Sequence, residues 1–225
     1  GAYGANEPKQ NAANLRTKGW ELMLTWNDAF KLANKPFRYN LSVGLADNTS
    51  EITKFDNPSK ILSDYYVGQK LGDIWGYVVD GLFRTDEEAA NYNVDQTAVN
   101  FVINTAQVNP GLHAGDMKFV DLDGDHTISS GSNTADDPGD RKIIGNSLPR
   151  YTYSIQGGFD WYGFDFSIYL QGVGHQDWYP GTNSVFFWGP YARPYSSFIP
   201  RDFLSQVWSP ENPDAYFPRP IGYLA

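Results

Sequence analysis

Alternation with a period of two runs through four segments of this chain, and it restricts the fold to β-sheet. From Gly19 to Asn27 the large residues Trp20, Leu22, Leu24 and Trp26 alternate with Glu21, Met23, Thr25 and Asn27, which puts the two sets on opposite faces of a strand. From Phe37 to Ala46 the pattern repeats, with Phe37, Tyr39, Leu41, Val43 and Leu45 set against Arg38, Asn40, Ser42, Gly44 and Ala46. The short link from Asp28 to Pro36 makes these two an antiparallel hairpin. A second hairpin follows much later. Tyr151, Tyr153, Ile155, Phe159 and Trp161 alternate with Thr152, Ser154, Gln156 and Asp160. After a tight turn at Tyr162-Gly163, Phe164, Phe166, Ile168 and Leu170 alternate with Asp165, Ser167, Tyr169 and Gln171.

Each strand is roughly nine to eleven residues, the length that crosses a bilayer at a tilt of about 45°, whereas strands of soluble sandwiches run nearer five or six. Trp20, Trp26, Phe37, Tyr39, Tyr151, Tyr153, Trp161 and Phe164 gather near strand ends, as an interfacial girdle does. A soluble β-sandwich with one wet face shares the periodicity. The connections favour a barrel: two short links alternate with two long segments, and a loop of about a hundred residues is unusual in a soluble domain. The fold expected is therefore all-β, part of a transmembrane antiparallel β-barrel with long extracellular loops that contain short helices. Residues 1–46 hold the first hairpin, 47–150 a large loop region, 151–171 the second hairpin and 172–225 an aromatic and Pro-rich loop region. Within the first loop, Thr85-Asp86-Glu87-Glu88 has the form of a capping box and predicts a short helix.

Composition removes whole classes of function. With no Cys among 225 residues, disulfide scaffolds, Cys-ligated zinc and thiol chemistry are excluded. A formal charge of -9 without any basic run argues against nucleic acid as a partner. No nucleophile elbow, zinc-binding helix, phosphate loop or dinucleotide fingerprint is present, and His113, His126 and His175 stand far apart, so no enzyme activity is expected.

Two features could bind something. Asp121-Leu122-Asp123-Gly124-Asp125-His126-Thr127-Ile128 resembles a calcium loop, with Asp121, Asp123, Asp125 and the Thr127 carbonyl as candidate ligands, because a hard cation takes several oxygens from one tight turn. His126 occupies the position where such loops want Gly, and Ser132 replaces the closing Glu, so Asp136, Asp137 or Asp140 would have to complete the set. The other reading is an Asx-rich turn whose carboxylates accept backbone N–H groups. The second feature is aromatic: Trp178, Tyr179, Trp188 and Tyr191 could stack on sugar rings or pack on a partner protein.

Several motifs, in order and over most of the chain, resemble the SusC/RagA family of TonB-dependent outer-membrane transporters. They are Lys18-Gly19-Trp20-Glu21-Leu22, Leu71-Gly72-Asp73-Ile74-Trp75-Gly76-Tyr77 followed by Asp80-Gly81-Leu82-Phe83, and Gly115-Asp116-Met117-Lys118-Phe119-Val120-Asp121 running into the Asp turn. Asp140-Arg141-Lys142-Ile143-Ile144-Gly145-Asn146, Pro149-Arg150-Tyr151, Gly163-Phe164-Asp165-Phe166 and the tail Trp208-Ser209-Pro210-Glu211-Asn212-Pro213 with Phe217-Pro218-Arg219 agree as well. The resemblance implies an outer-membrane location and import of glycan oligosaccharides or peptides, driven by TonB and capped by a SusD-like surface lipoprotein. It also implies that this is a C-terminal-half portion, with the plug, the TonB contact and further strands outside it. Members of that family usually carry Gly where His126 stands. The competing expectation is a soluble, secreted, calcium-stabilised β-sandwich that binds carbohydrate.

Overall fold

The computed structural model describes residues 12–99, 111–181, 191 and 199–220. The chain is all-β with little helix. Eight strands are present among the described residues: β1 (Asn14–Leu32), β2 (Lys35–Lys54), β3 (Asp73–Tyr77), β4 (Val79–Leu82), β5 (Met117–Phe119), β6 (Arg141–Asn146), β7 (Arg150–Trp161) and β8 (Phe164–His175). Two short helices, α1 (Asp86–Ala90) and α2 (Phe203–Gln206), lie in the loop regions. The chain divides into two compact units, residues 1–73 with 145–178 and residues 74–144 with 179–225.

The first unit is one antiparallel sheet in the order β1-β2-β7-β8. Both predicted hairpins form, and they lie side by side, with Phe37 opposite Trp161 and Ala46 opposite Thr152. The first hairpin runs further than the sequence suggested: its turn is only Ala33-Asn34, and Asp28 to Leu32 and Lys35-Pro36 belong to the strands. Asp28 and Pro36 look like turn residues, but Asp28 stands in the ladder opposite Tyr39, and the position of Pro36 tolerates it. Lys31 and Pro36 face each other one step from the closing pair Leu32–Lys35, where ladder bonds alternate, so proline's missing N–H removes no bond to β1. Both turns have positive φ at both central residues, Ala33 at 49° and Asn34 at 62°, Tyr162 at 51° and Gly163 at 85°. That is the type I′ geometry whose twist matches two antiparallel strands, and Gly163 adopts it without steric cost.

At the end of the sheet away from the turns, charged and amide groups fasten the chain. Arg150 Nε and Nη2 each donate to Asp47 at 2.6 Å, joining the tops of β7 and β2. Asn146 Nδ2 donates to the Leu71 carbonyl and to Asp73 Oδ1, both at 3.0 Å. The Asp177 carboxylate accepts from the Asn146 amide at 2.7 Å and lies 3.0 Å from His175 Nε2. Those two contacts, the amide first, hold the Asp177 carboxyl below the usual carboxylate range.

The second unit packs short elements around Phe83 and Ile128, both fully buried, with Ala89, Phe119, Phe203 and Val207. β4 and β5 pair antiparallel, and β3 pairs with β6. Buried Gln96 stands in for a third strand beside β5: its amide donates to the Met117 carbonyl at 2.9 Å and accepts from the Phe119 amide at 3.0 Å. The helix at Thr85 forms as its capping box predicts, with Thr85 Oγ1 accepting from the Glu88 amide at 3.1 Å. Glu88 reaches back one residue further than the motif requires, to the Arg84 amide at 2.9 Å. The tail closes this unit. Trp208 donates its amide to Phe217, Arg219 donates its amide to Gly115, and the Arg219 guanidinium clasps Asp116 at 2.7 and 3.0 Å. Gly115 is required there, because at φ +86° a Cβ would sit 2.5 Å from the Trp208 ring.

Candidate functional site

Strand register determines what each face of the four-stranded sheet presents. On one face the rows across β1, β2, β7 and β8 read Leu24–Val43–Ile155–Leu170, Trp26–Leu41–Gly157–Ile168 and, nearest the turns, Phe30–Phe37–Trp161–Phe164. On the other they read Asn27–Asn40–Gly158–Ser167, Thr25–Ser42–Gln156–Tyr169 and Met23–Gly44–Ser154–Gln171, with Arg38, Asp160 and Asp165 in the row nearest the turns. Neither face is buried. Leu24 is 61% exposed, Trp26 61%, Phe166 49% and Leu170 52%. About a dozen large apolar side chains thus keep about half their surface uncovered, forfeiting roughly 1 kcal/mol each. The total, on the order of 10 kcal/mol, rivals the whole stability of an ordinary domain, so this face requires an apolar covering.

Aromatic rings concentrate at the turn end of that face. Phe37 and Phe159 stack at 5.4 Å between centroids, as do Phe159 and Phe166, and Phe30 lies 5.0 Å from Phe37. Their polar partners stay satisfied: Trp26 Nε1 donates to the Tyr39 hydroxyl at 3.2 Å, and Trp161 Nε1 donates to the Leu32 carbonyl at 3.2 Å. From Tyr151 to Trp161 the strand rises about 34 Å, or about 24 Å across a layer crossed at 45°. Among the described residues no helix is long and apolar enough to cross a membrane, which leaves strands untouched.

In the second unit the Asp turn gathers Asp121, Asp123 and Asp140, each offering a carboxylate oxygen within 4.8 Å of the others. Asp140 is fully buried and accepts from the Leu122 and Ser129 amides, both at 2.7 Å. Asp121 accepts from the amides of Gly124 at 2.7 Å and His126 at 2.9 Å. His126 takes φ 63°, the left-handed conformation that explains why Gly is favoured at this position. Of the other candidate ligands, Asp125 turns its carboxylate to the Thr127 amide at 2.7 Å, and Thr127 bridges to Asp95 in a short parallel pairing. Partial desolvation raises the Asp121 carboxyl, but the His126 and Gly124 amides outweigh it and hold it below its ordinary value. For Asp123 the balance reverses. The Asp125 amide lowers it, while desolvation and the charges of Asp140, Asp125 and Asp121 prevail and leave it raised. Three hard oxygens at this spacing fit a cation about 2.4 Å from each, and the same carboxylates also satisfy the turn's own amides.

The aromatic candidates divide. Trp178 and Tyr179 are 71% and 56% exposed. Tyr191 is half-buried in the second unit, where its hydroxyl donates to the Pro218 carbonyl at 3.2 Å, its ring meets Phe203 edge-on, and burial pushes its phenol up to about 12. Trp188 lies outside the described residues. The Asp116–Arg219 clasp and the Asn146–Asp177 junction carried no sequence signal beyond the place of Asp116, Asn146 and Arg219 in the motifs quoted above, since their partners lie far apart in the chain.

No family model matches the chain. Three TonB-dependent receptors of Formosa agariphila do align with it. One is 27% identical over 188 residues, covering 73% of this chain and 17% of that protein. The second is 22% identical over 181 residues, with 75% and 16% covered, and the third 23% identical over 234 residues, with 97% and 20% covered. The chain is similar to TonB-dependent receptors. It spans a fifth or less of the length of the receptors it matches.

Proposed function

We propose that this chain is a portion of a TonB-dependent outer-membrane nutrient transporter of the SusC/RagA type. Its four-stranded sheet belongs to the barrel wall, and its second unit is an extracellular loop assembly. The whole protein would import glycan oligosaccharides or peptides, with a SusD-like lipoprotein over the loops and TonB engaged by a region outside these residues. The observation that carries the reading is the exposed apolar face, of bilayer-spanning height and ringed by aromatics, on strands whose opposite face is polar. A soluble sandwich would bury that face under a second sheet, and among the described residues none covers it.

The test is detergent dependence of the full-length protein. It should fractionate with outer membranes, stay monodisperse only in detergent or lipid, and run as a heat-modifiable band. A protein that is monodisperse and folded in plain buffer sinks the reading. Co-purification of a SusD-like lipoprotein tests the partnership separately.

The Asp turn is proposed as a calcium site held by Asp121, Asp123 and Asp140. Calcium at about a hundred times its dissociation constant should stabilise the unit by about 2.7 kcal/mol, chelator should reverse this, and Asp123→Ala should abolish the response. A melting temperature indifferent to calcium and chelator leaves the turn as a hydrogen-bonded loop without metal.

A further inference from the structure

The apolar face of the four-stranded sheet ends in cations. Beyond the row Leu22–Leu45–Tyr153 the register continues through Trp20–Asp47, Lys18–Thr49 and Arg16–Glu51, and Lys70 bridges Glu51 on the side away from β1. Residues directly opposite in an antiparallel pair share a face, so Trp20, Lys18, Arg16 and Lys70 all continue the apolar one. Arg16, Lys18 and Lys70 are exposed. The nearby carboxylates are already engaged. Arg16 holds Glu51 at 2.8 Å, and Arg150 holds Asp47 at 2.6 Å. Asp73 accepts the Lys70 amide at 3.2 Å and the Asn146 carboxamide at 3.0 Å. Among the described residues the ammonium groups of Lys18 and Lys70 enter no ion pair. A chain with a formal charge of -9 thus keeps two unneutralised cations on its apolar side.

Their position selects a partner. Both two-residue turns lie at the other end of the sheet, so these cations stand where the long segments leave it. Trp20 is the last ring of β1 in this direction. Lys18 lies about 7 Å beyond it along the strand and Arg16 about 14 Å, which is about 5 and 10 Å of height at a tilt of 45°. Strand spacing sets Arg16 and Lys70 about 10 Å apart across their row. An aromatic ring at the edge of the hydrocarbon with cations just above it is the level of lipid headgroups. There the lysine stems lie along apolar surface while the ammonium groups reach outward. A neutral or zwitterionic headgroup would leave them uncompensated, whereas a phosphate accepts from both ammonium and guanidinium. A protein docking here would have to sit on a face that continues downward into lipid. We infer that Arg16, Lys18 and Lys70 form a docking surface for the phosphate groups of an anionic lipid in the outer leaflet. The inference rests on reading the apolar face as the lipid-facing side of a transporter barrel.

The full-length protein in detergent is titrated with diphosphorylated lipid A, with phosphatidylethanolamine and with inorganic phosphate, and native mass spectrometry reads what stays bound. Lipid A should bind, and should be released as salt rises. Phosphatidylethanolamine should bind more weakly, and inorganic phosphate should not displace lipid A. Lys18→Gln or Lys70→Gln should weaken lipid A binding about fivefold, and the two together about thirtyfold. Lys31→Gln, on the polar face beside the turn, should leave it unchanged. Each variant is first checked for the heat-modifiable band of the folded barrel. Equal binding of phosphatidylethanolamine, displacement by inorganic phosphate, undiminished binding by the double variant or no bound lipid at all overturns the inference. A protein that needs no detergent would instead bring down the transporter reading beneath it.

Discussion

Arg219→Ala is expected to destabilise the second unit by about 3–5 kcal/mol, one of the two largest effects of a single substitution here. Asp116 has only 1% of its side chain exposed, and its carboxylate is held by both Arg219 nitrogens and by the His113 amide at 2.8 Å. Removing the guanidinium strands a buried charge, which costs more than the pair contributes when intact. The exposed pair Arg84–Asp214 provides the contrast. Its side chains are 70% and 74% exposed, so Arg84→Ala should change stability by less than about 1 kcal/mol. Denaturant titration of both variants, followed by tryptophan fluorescence because Trp208 lies against this junction, measures the difference. Asp116→Leu combined with Arg219→Leu should recover much of the loss, since no charge is then left buried. An Arg219→Ala variant within about 0.5 kcal/mol of the parent would remove the clasp from any account of how the tail is held.

Ile155→Lys and Ser154→Lys should differ by about 2–4 kcal/mol although they are neighbours on β7. Ile155 lies in the middle row of the apolar face, between Val43 and Leu170, and Ser154 points to the polar face between Gly44 and Gln171. A lysine at mid-bilayer depth costs about that much on the lipid side and little on the water-filled side. Urea titration of the full-length protein refolded into vesicles gives both values. Equal effects of the two lysines would mean that the apolar face does not meet lipid.

The amount of this legible in the sequence varied with how local each feature is. Alternation of Trp20, Leu22, Leu24 and Trp26, and of Phe164, Phe166, Ile168 and Leu170, assigned strands and faces without any tertiary information. Tyr162-Gly163 marked its turn and Thr85 its helix for the same reason: each is decided by the φ/ψ or hydrogen bonds of a few adjacent residues. Asp28 and Pro36 misled, because their intrinsic turn preference yields to a ladder that continues through them to Ala33-Asn34. Among the oxygens that might complete the Asp turn, Asp136, Asp137 and Asp140 were indistinguishable by spacing, and only burial of Asp140 beneath Leu122 and Ser129 separates it.

Period and turn chemistry by themselves therefore determined that this chain makes two amphipathic hairpins with one apolar and one polar face. The tertiary structure decided that β2 pairs with β7 across an insertion of almost a hundred residues, that Arg219 meets Asp116, and which carboxylates converge. Side-chain alternation is a property of each strand alone, whereas these pairings compete with every other closure of a long loop. That competition is settled by packing and charge brought together in space, where adjacent residues carry no record of it.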